Sequence, residues 1–214
     1  MTAAIILAAG AATRMGRLKQ LLPYRGETLL AHGVYQAVDA GFQPVVVVIG
    51  AQAEAVRESL AHKPVVIVEN AAWQTGMGSS ISAGMRRLTE GAIPPASIAI
   101  LLADQPLVES RHLQAMQALL EGNEADAIAA EYGGTVGVPA IFTSAMFEHV
   151  GNLPPTEGAR RLLRHPHFKI LSFPLPEAEV DLDTPEDLAA LAVTSSAEEE
   201  QKRAGGPTGF RFRK

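Results

Sequence analysis

Arg14 and Lys19 stand just beyond a run of small residues, Ala8-Ala9-Gly10-Ala11-Ala12. Small side chains let a backbone approach a ligand closely, and glycine permits the turns that aim successive N–H groups at an anion. Two cations placed after such a loop suit a polyphosphate. The plain alternative is an Ala/Gly turn leading into a helix whose basic residues face water. Gly10 and Gly16 are six residues apart and fit neither G-x-G-x-x-G nor G-x-x-x-x-G-K-[ST]. A later apolar run ends in Ile49-Gly50 rather than in an acid for a ribose hydroxyl. Hydride transfer on a dinucleotide and Walker-type ATP hydrolysis therefore lose support.

Two further constellations could do chemistry. The stretch Trp73-Gln74-Thr75-Gly76-Met77-Gly78-Ser79-Ser80 combines a tight glycine backbone with serines suited to cap a helix, whose free N–H groups would meet base or ribose edges. Trp73, the sole tryptophan, could stack a ring or simply pack, half-buried. Asp104 follows the apolar run Ile98-Ala99-Ile100-Leu101-Leu102. A carboxylate at the tip of a buried strand suits a divalent cation, and Mg²⁺ accepts a few carboxylates together with phosphate oxygens and water. Alternatively, Asp104 only opens a turn. Near the end of the chain, Asp181 and Asp183 fall on one face of an extended segment. The following Thr184-Pro185-Glu186-Asp187 reads as an ordinary helix start, which leaves those two acids unexplained.

Positioning such residues requires a scaffold whose loops gather at one end. Ala4–Leu7, Val45–Ile49, Val65–Val68 and Ile98–Leu102 are short, almost wholly apolar runs, the pattern of strands buried on both faces of a parallel sheet. Helical patterns over 28–40, 52–61, 79–90 and 109–120 alternate with them. In the second half, strands are predicted at 126–131, 137–142 and 169–173, and helices near 144–150, at 157–164 and after Asp183. The fold class is α/β, doubly wound, with a mostly parallel central sheet between helical layers. In such sheets ligands sit beyond the carboxyl ends of the strands, where the loops after Leu7, Val68 and Leu102 would meet.

Composition narrows the field. The 214 residues carry 18 Lys+Arg against 23 Asp+Glu, a net charge of −5, which argues against non-specific nucleic-acid binding. With 47% apolar and 19% charged residues, wholesale disorder is excluded. Absence of cysteine removes disulfides, thiol catalysis and cysteine-held metals, and fits a reducing cytoplasm. Arg14, Arg17 and Lys19 follow the first apolar run rather than precede it, the wrong order for a secretory signal. No run approaches the ~20 apolar residues of a membrane span. The expectation is a cytoplasmic protein without nucleic-acid or membrane partners. Residues 1–194 read as one domain, and 195–214, with Glu198-Glu199-Glu200 and Gly205-Gly206-Pro207, as a flexible tail. The six histidines form no His-Glu-x-x-His pattern, and four fall in or beside helices as surface residues. No Gly-x-Ser-x-Gly elbow occurs.

Leu7-Ala8-Ala9-Gly10, Arg14-Met15-Gly16 and Lys19-Gln20-Leu21-Leu22-Pro23 together resemble the signature of MobA-like NTP transferases, most closely the molybdenum-cofactor cytidylyltransferase branch. Ala12 departs from the Ser or Gly common there, which removes a hydroxyl but leaves the backbone donors. The resemblance extends to Asn70 through Ser79, to Gly137-Val138-Pro139, to Glu157-Gly158-Ala159-Arg160 and to Asp181-Leu182-Asp183-Thr184-Pro185. It implies a three-layer Rossmann-like nucleotidyltransferase fold and transfer of a nucleotidyl group from CTP, or another NTP, to a phosphate-bearing acceptor. Molybdopterin is the favoured acceptor, and a molybdoenzyme would receive the product.

By that resemblance Leu7, Ala8, Ala9, Gly10, Arg14, Gly16, Lys19, Asn70, Gly76, Gly78 and Ser79 bind nucleotide. Arg14, Lys19 and Asp104 are catalytic, and Asp104 with Asp183 holds Mg²⁺. Gly137, Pro139, Gly158 and Arg160 face the acceptor. A sugar- or polyol-phosphate acceptor, and a non-catalytic carrier of nucleotide or molybdenum cofactor, are the alternative readings.

Overall fold

The computed structural model describes residues 1–11, 18–91 and 94–180. Arg14, Gly16, Arg17, Asp181, Asp183, the helix expected after Asp183 and the boundary expected at residue 194 lie outside the described residues. Seven strands form one sheet: β1 (Thr2–Ala8), β2 (Val45–Ile49), β3 (Val66–Glu69), β4 (Ser97–Leu102), β5 (Ala127–Tyr132), β6 (Thr135–Thr143) and β7 (Ile170–Pro174). Their order across the sheet is β3-β2-β1-β4-β6-β5-β7. Only β6 runs against its neighbours, and the other pairings are parallel.

Strict alternation along the strands explains why their sequences are apolar throughout. Ala4, Ile6, Val45, Val47 and Ile49 enter one core, and Ala3, Ile5, Val46 and Val48 enter the other. Helices α1 (Leu29–Asp39), α2 (Ala53–Ser59) and α4 (Ser110–Glu121) cover the first face through Leu30, Val34, Val56, Leu113 and Met116. On the other side α3 (Met77–Thr89), α5 (Phe147–Gly151) and α6 (Arg160–Leu163) contribute Ile81, Met85, Val150 and Leu162. Within the described residues no helix is long and apolar enough to cross a membrane.

Local signals set several boundaries. Thr28 caps α1 by accepting the Ala31 N–H at 3.1 Å, and Gly41, at φ +84°, ends the turn that follows it. The third apolar run is only half-buried, because β3 is an edge strand. The helix expected over 157–164 shrinks to Arg160–Leu163, since residues 154–158 are held as a loop against α3. The first helical residue of α3 is Met77, and its cap position is Gly76; neither Ser79 nor Ser80 caps it.

His32 overturns the expectation that the helical histidines are surface residues. It is buried, edge-on to Tyr24 with ring centroids 4.9 Å apart. Burial pushes its pKa below the ordinary histidine value, helped by Arg25. Burial, then Arg111, does the same to His112, whose Nδ1 accepts the Glu109 N–H at the start of α4. A depressed folded-state pKa means the unfolded chain binds more protons, so stability rises with pH. That stability is complete above the unfolded value of about 6.5 and is lost as pH falls below it toward the folded values. The melting temperature is expected to drop between pH 7.5 and 5.5, and less steeply in His32→Gln/His112→Gln. Calorimetry at the two pH values checks this, and equal drops in both proteins would exclude these histidines as the source.

Candidate active site

Strand order reverses beside β1: the chain passes from β1 to β2 and β3 on one side, then returns to β4 on the other. The crevice at such a reversal lies beyond the carboxyl ends of the strands. Here it is a cleft of about 450 Å³ whose lining includes Leu7, Ala8, Ala9 and Gly10 from the β1 end, Lys19, and Asp104 from the β4 end. Register accounts for that meeting. Leu7 pairs with Leu102, so Ala9 and Asp104, each two residues further on, leave the sheet at the same level. The Ala103 N–H continues the ladder to the Leu7 carbonyl at 3.3 Å. Lys19 and Asp104, both half-buried, are the charged residues among the described lining.

Carbonyl oxygens facing this cleft would repel phosphate, and the β1 loop has its own carbonyls engaged. Gln20 Nε2 donates to the Ala8 carbonyl at 3.0 Å and to the Gly10 carbonyl at 3.3 Å. Ala9's carbonyl accepts the Ala51 N–H at 3.0 Å. Gln20 is itself buried, so one side-chain amide fixes both sides of the loop. Gly50 is equally constrained, because a Cβ there would lie 2.7 Å from Trp73 Cβ and 2.9 Å from the Ala9 carbonyl. Trp73 packs into that gap, contacts both cores and lines the cleft.

The second loop is built around Asn70. Its Nδ2 donates to the Ser79 hydroxyl at 2.9 Å and to the Ser80 hydroxyl at 3.0 Å, while Oδ1 accepts the Ala72 N–H. Both amide protons are thereby engaged within the protein. Ser79 Oγ in turn donates toward the Gly76 carbonyl at 2.8 Å. Gly76, at φ +126°, and Met77 face the cleft, but Gly78 is buried behind them. A Cβ on Gly78 would sit 2.1 Å from the Pro154 carbonyl oxygen, and one on Gly76 would sit 2.5 Å from that of Pro155. The Gly78 N–H bonds the Pro155 carbonyl at 3.0 Å. Gly-Met-Gly is therefore the seat of the 154–157 loop.

That loop leads to the residues expected to face the acceptor. Gly158 lies against Met77, with Sδ 3.0 Å from the place of a Cβ. Gly137 leaves room for Tyr132 and Arg160, since a Cβ would be 2.5 Å from the Tyr132 hydroxyl and 3.3 Å from Arg160 Nη2. Arg160 is exposed, whereas Gly137 and Pro139 are buried. Tyr132 Oη donates to the Val138 carbonyl at 3.0 Å. Gln105, beside Asp104, donates to the same carbonyl and to that of Ala178.

Sequence reasoning missed Gln20, Gln105, Tyr132 and Gly50. For the two glutamines the available signal was a lone amide beside an apolar stretch or a proline, a pattern that calls for internal partners. Asp104 offers the hard oxygen donor a divalent cation requires. The described residues contain no group of three or more His, Asp or Glu able to hold a metal, and the second expected ligand, Asp183, lies outside them.

Residues 4–170 match the MobA-like NTP transferase domain. The chain is 31% identical to the purine catabolism protein PucB of Bacillus subtilis over 195 residues, 86% of this chain and 92% of the relative. It is 43% identical to nicotine blue oxidoreductase of Paenarthrobacter nicotinovorans over 103 residues, a match spanning about half of each chain, 48%. Among solved structures, Rv0371c of Mycobacterium tuberculosis superimposes with a TM-score of 0.73 at 27% identity, covering 89% of this chain and 97% of that one. The same mycobacterial protein has been crystallised in complex with manganese. The chain belongs to the MobA-like NTP transferase family and is a nucleotidyltransferase.

Proposed function

We propose that this chain transfers CMP from CTP to the phosphate of a molybdopterin-type cofactor, with Mg²⁺, and releases pyrophosphate. The observation that carries the reading is the meeting of the Leu7–Gly10 loop, Lys19 and Asp104 on one cleft where the strand order reverses. The Ala8-Ala9-Gly10 form of the loop supports CTP through its resemblance to the cytidylyl branch. An acceptor phosphate oxygen bonds to the α-phosphorus while the bond to the β-phosphate oxygen breaks, and pyrophosphate leaves with that electron pair. The ionised acceptor brings its own lone pair and requires no general base.

What the protein must supply is alignment and positive charge. The β1 loop holds the triphosphate, and Lys19 with Arg14 neutralises the charge that spreads over it. Asp104 holds Mg²⁺ with Asp183; the bound ion would screen the repulsion between the approaching phosphates. Gly76 and Met77 border the nucleotide, while Asn70, Gly78 and Ser79 act by shaping the loop. Gly137, Pro139, Gly158 and Arg160 form the acceptor side. The same reading carries a cytoplasmic location and a molybdoenzyme as recipient of the product.

A matrix of nucleotides against acceptors tests it. CTP, GTP and ATP are each incubated with Mg²⁺ and either molybdenum cofactor or a sugar- or polyol-phosphate, and pyrophosphate is measured. Release is expected with CTP and molybdenum cofactor. Release only with a sugar- or polyol-phosphate would reassign the acceptor. Binding of CTP without pyrophosphate from any pair would overturn the catalytic reading in favour of a carrier.

A further inference from the structure

Gln105 is buried, and both of its side-chain hydrogen bonds leave its own turn. Nε2 donates to the Val138 carbonyl at 3.0 Å, 33 residues away, and to the Ala178 carbonyl at 2.8 Å, 73 residues away. We propose that Gln105 is a positioning residue, setting the place of the acceptor side relative to Asp104. The inference rests on the function proposed above.

Three features carry it. A primary amide nitrogen has two N–H bonds in one plane, so a single side chain fixes two acceptors at a set angle. The Val138 carbonyl also takes the Tyr132 hydroxyl at 3.0 Å, which occupies both of its lone pairs and fixes its direction. Val138 lies between Gly137 and Pro139, so the same contacts hold the backbone on which the acceptor side is built. Ala178 belongs to a single turn, Pro176–Glu179, that is tied to β5 by the bond from the Leu175 N–H to the Glu131 carbonyl at 3.0 Å. Gln105 therefore joins the turn carrying Asp104 to the interior of β6 and to the segment that follows β7, which is itself tied to β5. The β1 loop is held by a different amide, Gln20. The β1 loop and the turn carrying Asp104 thus have separate braces, and loss of one need not disturb the other.

The test is Gln105→Met, which keeps the length and removes both donors. CTP affinity is measured by calorimetry without acceptor, and KM for molybdenum cofactor by pyrophosphate release. The acceptor KM is expected to rise roughly ten- to a hundredfold, as for a reactant displaced by a fraction of an ångström to one ångström, with CTP affinity unchanged. Equal shifts in both, or no shift in either, would assign Gln105 to general packing. Hydrogen exchange gives a readout independent of turnover. Amides at 136–138 and at 175, 177 and 178 should exchange faster in the variant, while those at 4–7 keep their protection. Unchanged exchange at either segment would overturn the coupling even if wild-type protein transfers to no acceptor, the result that instead defeats the proposed function. If Gln105→Met does not fold, Gln105→Asn, which withdraws the amide by one methylene, is read by the same two measurements.

Discussion

Asp104→Asn is expected to lower nucleotidyl transfer by roughly 10²–10³-fold while the protein melts close to the wild-type temperature, a loss comparable to removing one preorganised group that stabilises transition-state charge. The substitution preserves shape and removes only the charge. Asp104 stands past the end of β4, level with Ala9 past the end of β1, and shares the cleft with Lys19. A half-buried position at a loop contributes little to either core, so stability should be nearly unaffected. Pyrophosphate release measured across Mg²⁺ and Mn²⁺ titrations, together with calorimetry, separates the two effects. A metal role predicts that residual activity needs a higher metal concentration. Full activity at the wild-type metal requirement would refute that role.

Gly78→Ala is expected to destabilise the protein by about 1–3 kcal/mol, the ordinary cost of forcing a methyl group into a filled interior. The added Cβ would lie 2.1 Å from the Pro154 carbonyl oxygen and 2.7 Å from that of Glu157. Both are backbone atoms, so no side chain can swing aside, and the 154–157 loop must leave α3. For a chain of this size each kcal/mol shifts the melting temperature by about 2–4 °C. Gly33→Ala is the control, because a Cβ there meets nothing within 4 Å and the site is inside α1. That change should raise the melting temperature slightly, since alanine favours helix over glycine. Equal melting temperatures for Gly78→Ala and wild type would remove the interlock from the account.

How far the sequence revealed this molecule depends on the range over which each cause acts. Val45–Ile49 is legible as a strand because every side chain meets a core, and burial on both faces writes itself into consecutive residues. Val66–Glu69 is less so, since its place at the sheet edge depends on strand order. The cap of α1 is local and legible in Thr28, whereas α3 begins at Met77, ahead of the serines whose types suggest a cap. What fixes Gly76 and Gly78 is a loop nearly eighty residues later, and no local pattern contains it. The charges proposed as catalytic stand out because Lys and Asp beside apolar runs are conspicuous. Gln20 and Gln105 do not, because their work is done by hydrogen bonds to carbonyls that every residue possesses. The net charge of −5 excludes a generic polyanion surface and says nothing of the cleft, where Lys19 and Asp104 face one space.

The seating of the 154–157 loop on Gly76 and Gly78 bears on how relatives of this protein can exchange parts. A chimera that grafts residues 150–165 from another nucleotidyltransferase replaces one half of a joint whose other half is the beginning of α3. The contact is backbone to backbone, so side-chain redesign on the graft cannot restore it. A donor segment with a different loop course will fit only when the donor's own start of α3 travels with it. The two segments, far apart in the gene, are thus expected to be exchangeable only together, and exchange of either alone to give a poorly folded protein.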